Sequence, residues 1–144
     1  MKRVQSITST KYQSNTERIL IWQSTYHMFQ DHPVLGVGLG QYKDSYQKTY
    51  ISLGHAHNNF MQMLAENSFV GFLGFTLMIS YFICHSLRRF WQTKSPYAFM
   101  ISMYTLALVL QGLTEYNFGN SAVMKAFWLV LGCLLVLDYN YKKE

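Results

Sequence analysis

The chain has 144 residues, a formal charge of +5, and only 13% charged side chains against 50% hydrophobic ones. That is the length of one ordinary domain, and the scattered basic residues form no stripe, which argues against a nucleic-acid backbone as partner. The two cysteines, Cys84 and Cys133, lie inside apolar runs, so they read as small buried hydrophobes rather than a disulfide framework.

Mean hydropathy is near zero, but residues 1–68 hold most of the charge. Residues 1–14 are rich in Ser, Thr, Gln and Lys without periodicity and read as a flexible segment. Met1-Lys2-Arg3 runs into polar residues, so no secretory signal peptide is visible. Ser14-Asn15-Thr16-Glu17 fits a capping box and predicts a helix start. Ile19, Trp22, Tyr26 and Phe29 follow as one apolar stripe, and Pro33 predicts an end near Asp31. Arg18 and Trp22 share a face of that helix.

Pro33-Val34-Leu35-Gly36-Val37-Gly38-Leu39-Gly40 invites a phosphate-loop reading. No apolar strand precedes it and the full G-x-G-x-x-G spacing is absent, so it reads as a tight turn where backbone meets backbone. Tyr42, Tyr46 and Tyr50 recur at helical spacing and read as packing or an interfacial belt. Gly54-His55-Ala56-His57-Asn58-Asn59-Phe60 then brings together histidines at the border of the apolar half.

Three candidate spans follow. Phe69–Leu87 offers about 19 uncharged residues, Tyr97–Leu113 about 17, and Ala126–Leu137 an apolar core of about 12 that extends to about 122–138. Buried core helices of a soluble protein are the alternative. The loop 88–96 carries Arg88, Arg89 and Lys94, and the tail carries Lys142 and Lys143, whereas the loop 114–121 carries Glu115 and no base. The positive-inside rule predicts a cytoplasmic C-terminus, with residues 1–68 and 114–121 extracytoplasmic.

His55 and His57 share a face on a strand and splay apart on a helix. A metal site needs a third ligand, and His27, His32 and Glu66 are available without diagnostic spacing. A metal-dependent hydrolase on this pair is one reading. One histidine as general base is another, with Arg18 as the cation for an anionic leaving group such as pyrophosphate. A third has His57 capping the next helix and Arg18 as a solvated charge.

Arg18-x-x-x-Trp22, His32-Pro33-Val34-Leu35-Gly36-Val37-Gly38-Leu39-Gly40-Gln41-Tyr42, His55-Ala56-His57-Asn58-Asn59-Phe60-Met61-Gln62-Met63-Leu64-Ala65-Glu66 and Gly71-Phe72-Leu73-Gly74 resemble the C-terminal signature of the O-antigen ligase / Wzy-type polymerase family. The segment from Gly112 to Ser121 is similar to that family's last outward loop. The resemblance implies a mainly α, multi-span GT-C-like enzyme of the bacterial cytoplasmic membrane. Here that means an extracytoplasmic helical loop region, 1–68, followed by three transmembrane helices in 69–144. It implies metal-independent transfer, without cofactor, of a glycan from an undecaprenyl-pyrophosphate donor to a lipid or glycan acceptor. His57 takes the role of base and Arg18 that of donor-pyrophosphate ligand, with His55, Trp22 and Glu115 as further substrate-binding candidates. Members have around ten or more spans, so the chain is expected to be the C-terminal part of such an enzyme. The alternative is a truncated, non-catalytic membrane remnant or binding module.

Overall fold

In a computed structural model of the chain, five helices occur among the described residues, which are 2–47 and 54–141. They are α1 (Lys2–Asp31), α2 (Tyr42–Gln47), α3 (Asn59–Thr93), α4 (Pro96–Gln111) and α5 (Ser121–Asn140). No strand occurs among those residues, and the protein is mainly α.

The polar N-terminal segment, expected to be flexible, is helical. α1 begins at Lys2 rather than at the Ser14 capping box. No glycine or proline precedes Pro33, so nothing in the backbone interrupts the helix. α1 ends at Asp31, two residues before that proline. Its buried face is centred on Ile21, Thr25 and Met28, not on the predicted stripe, of which Ile19 and Tyr26 are exposed. Thr25 can face inward because its hydroxyl is satisfied twice. It donates to the Ile21 carbonyl at 2.8 Å, and it shares a 2.7 Å hydrogen bond with the hydroxyl of Tyr42, which is itself buried. Tyr50 and the Lys142–Lys143 tail lie outside the described residues, as does the side chain of Tyr46.

The glycine-rich segment is a close backbone approach. Gly36, Gly38 and Gly40 all have positive φ, and a Cβ on Gly36 would overlap the carbonyl of Glu66. The reason lies in α3, which kinks at Ser68 (φ 50, ψ −148). A kink frees carbonyls of the preceding turn. Val37 N–H donates to Ala65 and Gly38 N–H to Glu66, both at 3.0 Å. The Ser68 hydroxyl donates to the His32 carbonyl, and Phe69 N–H to that of Pro33. The glycine loop thus patches the break that separates residues 59–67 from the long apolar run of α3.

The three C-terminal helices pack in sequence, α3 on α4 and α4 on α5. The connection between α3 and α4 is tighter than the expected loop 88–96. α3 continues to Thr93, Lys94 caps it in the left-handed region, and Ser95 caps α4 with Pro96 at its first turn. Arg88 and Arg89 therefore lie on the last turns of α3. Ile101, Leu108, Phe127 and Leu131 form the core between α4 and α5.

α3 and α5 are each long and apolar enough to cross a membrane. Only 17% of the apolar window of each is buried within the chain, so these runs are not covered as core helices by the rest of it. α4 has 16 residues, roughly 24 Å at 1.5 Å each, which is shorter than the ~30 Å hydrocarbon layer. Cys84 and Cys133 are exposed on these apolar surfaces, not buried as expected, and neither is in a disulfide. At the end of the bundle far from the histidines, Arg89 of α3 grips Asp138 of α5. Its Nε pairs with the carboxylate and Nη2 donates to the main-chain carbonyl at 2.9 Å.

Candidate active site

The site begins with a residue that has no functional side chain. Ala56 is fully buried between the two histidines, and both of its backbone groups are held. Its N–H donates to Gln62 Oε1 at 2.8 Å, and its carbonyl accepts from the Trp22 indole N–H at 3.0 Å. Gln62 in turn donates through Nε2 to Glu66 Oε1 at 2.9 Å, one helical turn further along α3. α1 and α3 thus grip the His55–His57 backbone from opposite sides. His57 adopts a left-handed conformation, φ 48, which is costly for a non-glycine residue and persists only where the surroundings dictate it.

The next two residues attach the histidines to the α4–α5 connection. Asn58, not His57, is the N-cap of α3, and its Oδ1 accepts from Phe60 and Met61 N–H. Its amide donates to the Leu113 carbonyl at 2.9 Å. Asn59 N–H donates to the Gly112 carbonyl at 2.7 Å, while its Oδ1 accepts from Asn117 N–H at 2.8 Å. A side chain on Gly112 would collide with Asn59. The turn carrying Glu115 is therefore pinned beside the histidines at two points.

Three distant segments then meet. Arg18 Nη2 of α1 lies 3.8 Å from Glu115 Oε1, and His57 Nδ1 lies 3.6 Å from Glu115 Oε2. The imidazoles of His55 and His57 have ring centroids 4.2 Å apart. Burial, reinforced by the neighbouring His57 and opposed by Glu115, lowers the pKa of His55 below 6.5. On the far side of His55 the ring of Tyr116 follows at 5.8 Å, and burial with the nearby Glu66 carboxylate raises its phenol above 10.0.

Two recesses lie in this region, the first bordered by His55 and Glu115 and the second beside Trp22. One, of about 710 Å³, is predominantly polar and lined by His55, Gln111, Glu115, Tyr116, Asn117 and Asn120. The other, of about 410 Å³, is apolar and lined by Ile19, Trp22, Tyr26 and Met61 among others. A cation, a carboxylate and two imidazoles beside such walls can match an anion, move a proton and hold a polar chain.

Of the five residues singled out from the sequence, the structure gathers Arg18, His55, His57 and Glu115. Trp22 contributes an edge to the apolar recess, but its indole N–H is already committed to Ala56. The reading of His57 as a helix cap does not hold, since Asn58 takes that place, and Arg18 lies within 4 Å of Glu115 with its side chain one-third exposed. His27, His32 and Glu66, the candidate third ligands, stay apart from the histidine pair; Glu115 joins it instead. Gln62, Glu66, Asn58 and Asn59 escaped notice as supports. Their only signal was the four-residue spacing of Gln62 and Glu66.

A search among curated proteins finds no match for the chain. A family model described as O-antigen ligase matches residues 1–76, a segment that includes Arg18, Trp22, His55 and His57 and stops short of Glu115. Since that match covers more than half of the sequence, the chain belongs to the O-antigen ligase family, a bacterial inner-membrane family of ligase- and polymerase-type glycosyltransferases that act on lipid-linked glycans and their acceptors.

Proposed function

We propose that this chain contributes the catalytic loop of a membrane enzyme that moves a glycan from undecaprenyl pyrophosphate to a lipid or glycan hydroxyl. The acceptor oxygen attacks the anomeric carbon of the donor sugar, and the bond from that carbon to the pyrophosphate oxygen breaks. His57 takes the proton of the acceptor hydroxyl. Arg18 matches the negative charge that the departing pyrophosphate carries away. Glu115 faces Nδ1 of His57 and stabilises the imidazolium formed, so Nε2 addresses the acceptor. It also holds Arg18 until phosphate oxygens replace it.

The carrying observation is the convergence of Arg18, His57 and Glu115, three residues from separate segments of the chain. The polar recess beside His55 suits a sugar, and the apolar one beside Trp22 suits a prenyl chain. No step in this scheme uses a metal or cofactor. Residues 1–68 then form an outward helical region, and 69–144 a bundle of membrane helices with the turn 114–121 outward. The placement of Arg88, Arg89 and Lys94 at the opposite end of α3 supports that orientation.

The test is glycan transfer in membranes from cells whose native gene carries Arg18→Ala or His57→Ala. Loss of a positioned base lowers rates by about 10²–10⁴-fold, and a fall of that order is expected for His57→Ala. Undiminished transfer in both variants would overturn these roles.

A further inference from the structure

Two imidazoles and a carboxylate make up the cluster, and their chemistry extends beyond proton transfer. One ligand atom from each of His55, His57 and Glu115 lies within 4.8 Å of the other two. His57 Nδ1 is buried and has no hydrogen-bond partner, an unusual state for a polar atom that ligation would relieve. The histidines are preorganised, since Ala56 between them is held by both of its backbone groups. Two histidines and one glutamate form a familiar zinc ligand set with an open fourth position.

The geometry points to a transition-metal site at His55, His57 and Glu115, one that takes a zinc-class divalent ion and switches the transfer reaction off when filled. The second half of this proposal rests on the functional reading above; the first half does not. Around an ion with ligands at 2.0–2.1 Å, tetrahedral ligand atoms stand roughly 3.3 Å apart, so the triad must contract. Glu115 can supply the movement because its side chain is half exposed on a turn. Imidazole ligands favour zinc over magnesium or calcium, which prefer all-oxygen shells.

Filling the site would inhibit for a simple reason. A neutral imidazole has one nitrogen lone pair to offer. An ion that takes it from His57 leaves only a protonated nitrogen, which cannot accept the proton of the acceptor hydroxyl. The ion also shares the carboxylate that Arg18 faces at 3.8 Å and draws part of its negative charge away from Arg18.

The test titrates the untagged chain in detergent with Zn²⁺ by calorimetry and with Co²⁺ by visible absorption, using Mg²⁺ as the control. One Zn²⁺ per chain is expected, bound at least tenfold more tightly than Mg²⁺, with Co²⁺ giving the intense bands of a four-coordinate site. His55→Ala, His57→Ala and Glu115→Gln should each weaken Zn²⁺ binding tenfold or more, while His27→Ala should not. Glu115→Gln keeps the assay meaningful if a histidine variant fails to fold, because that side chain is exposed. Zinc affinity equal in wild type and Glu115→Gln would overturn the site. In membranes, zinc should suppress wild-type transfer and a chelator restore it; transfer indifferent to saturating zinc would overturn the switch. A chain that binds zinc through the triad but never transfers glycan would keep the site and remove the functional reading. A chain that transfers glycan but binds no zinc would do the reverse.

Discussion

His55 shows how a residue expected only to touch substrate acquires a property from its surroundings. Its imidazole resists protonation because it is partly buried and faces His57, with Glu115 opposing. The unfolded chain takes up a proton near pH 6.5 and the folded site does not. Stability is therefore insensitive to this group above about pH 6.5 and falls as pH drops below it. Thermal unfolding at pH 7.5 and pH 5.5 measures the effect, and His55→Asn should shrink the gap between the two midpoints. Gln62 makes a second prediction at this scale. Replacing it by Leu leaves the buried Ala56 N–H without an acceptor, a loss of about 1–3 kcal/mol. Transfer activity should fall as well, since both histidines hang on that backbone. An unaltered unfolding midpoint would show that Ala56 is not held this way.

Elements were legible in proportion to how local their causes are. Pro33 marks the end of α1 and the apolar runs became helices, whereas the caps Asn58 and Asn120 emerged only from the structure. The positive-φ glycines were readable as a close approach, but the element they approach was not. The kink at Ser68 depends on carbonyls of Ala65 and Glu66 finding donors some thirty residues upstream in the chain, and no periodicity encodes that pairing. The buried face of α1 was misjudged for a similar reason. Thr25 looks polar in the sequence, and its bonds to the Ile21 carbonyl and the Tyr42 hydroxyl let it sit in the interior. Gly36→Ala tests the kink directly. The left-handed backbone alone costs about 1–3 kcal/mol, and the overlap with the Glu66 carbonyl adds to it. Gly54→Ala, at a position with open space and no positive φ, should cost far less in the same unfolding measurement.

Across the whole molecule, two polar fastenings lie at opposite ends of α3. At one end Asn58 and Asn59 tie the histidine loop to the turn that carries Glu115. At the other, Arg89 holds the buried Asp138. Removing Arg89 strands a buried carboxylate, so Arg89→Ala should destabilise the bundle by about 3 kcal/mol, and Arg89→Leu with Asp138→Leu should recover most of the loss. Orientation has its own test. A cysteine at Asn120 should react with an impermeant maleimide in intact cells, and one at Lys94 only after permeabilisation. The sequence made the histidine and arginine visible as separate motifs; the fold supplies Glu115 as the residue that joins them. The central claim is that Arg18 and His57 act on one transferred glycan from different segments. Glycan transfer in membranes carrying Arg18→Ala or His57→Ala in the native gene measures it most directly. Loss of transfer in each variant, with the protein still present in the membrane, is the predicted result, and transfer at the wild-type rate in both would contradict it.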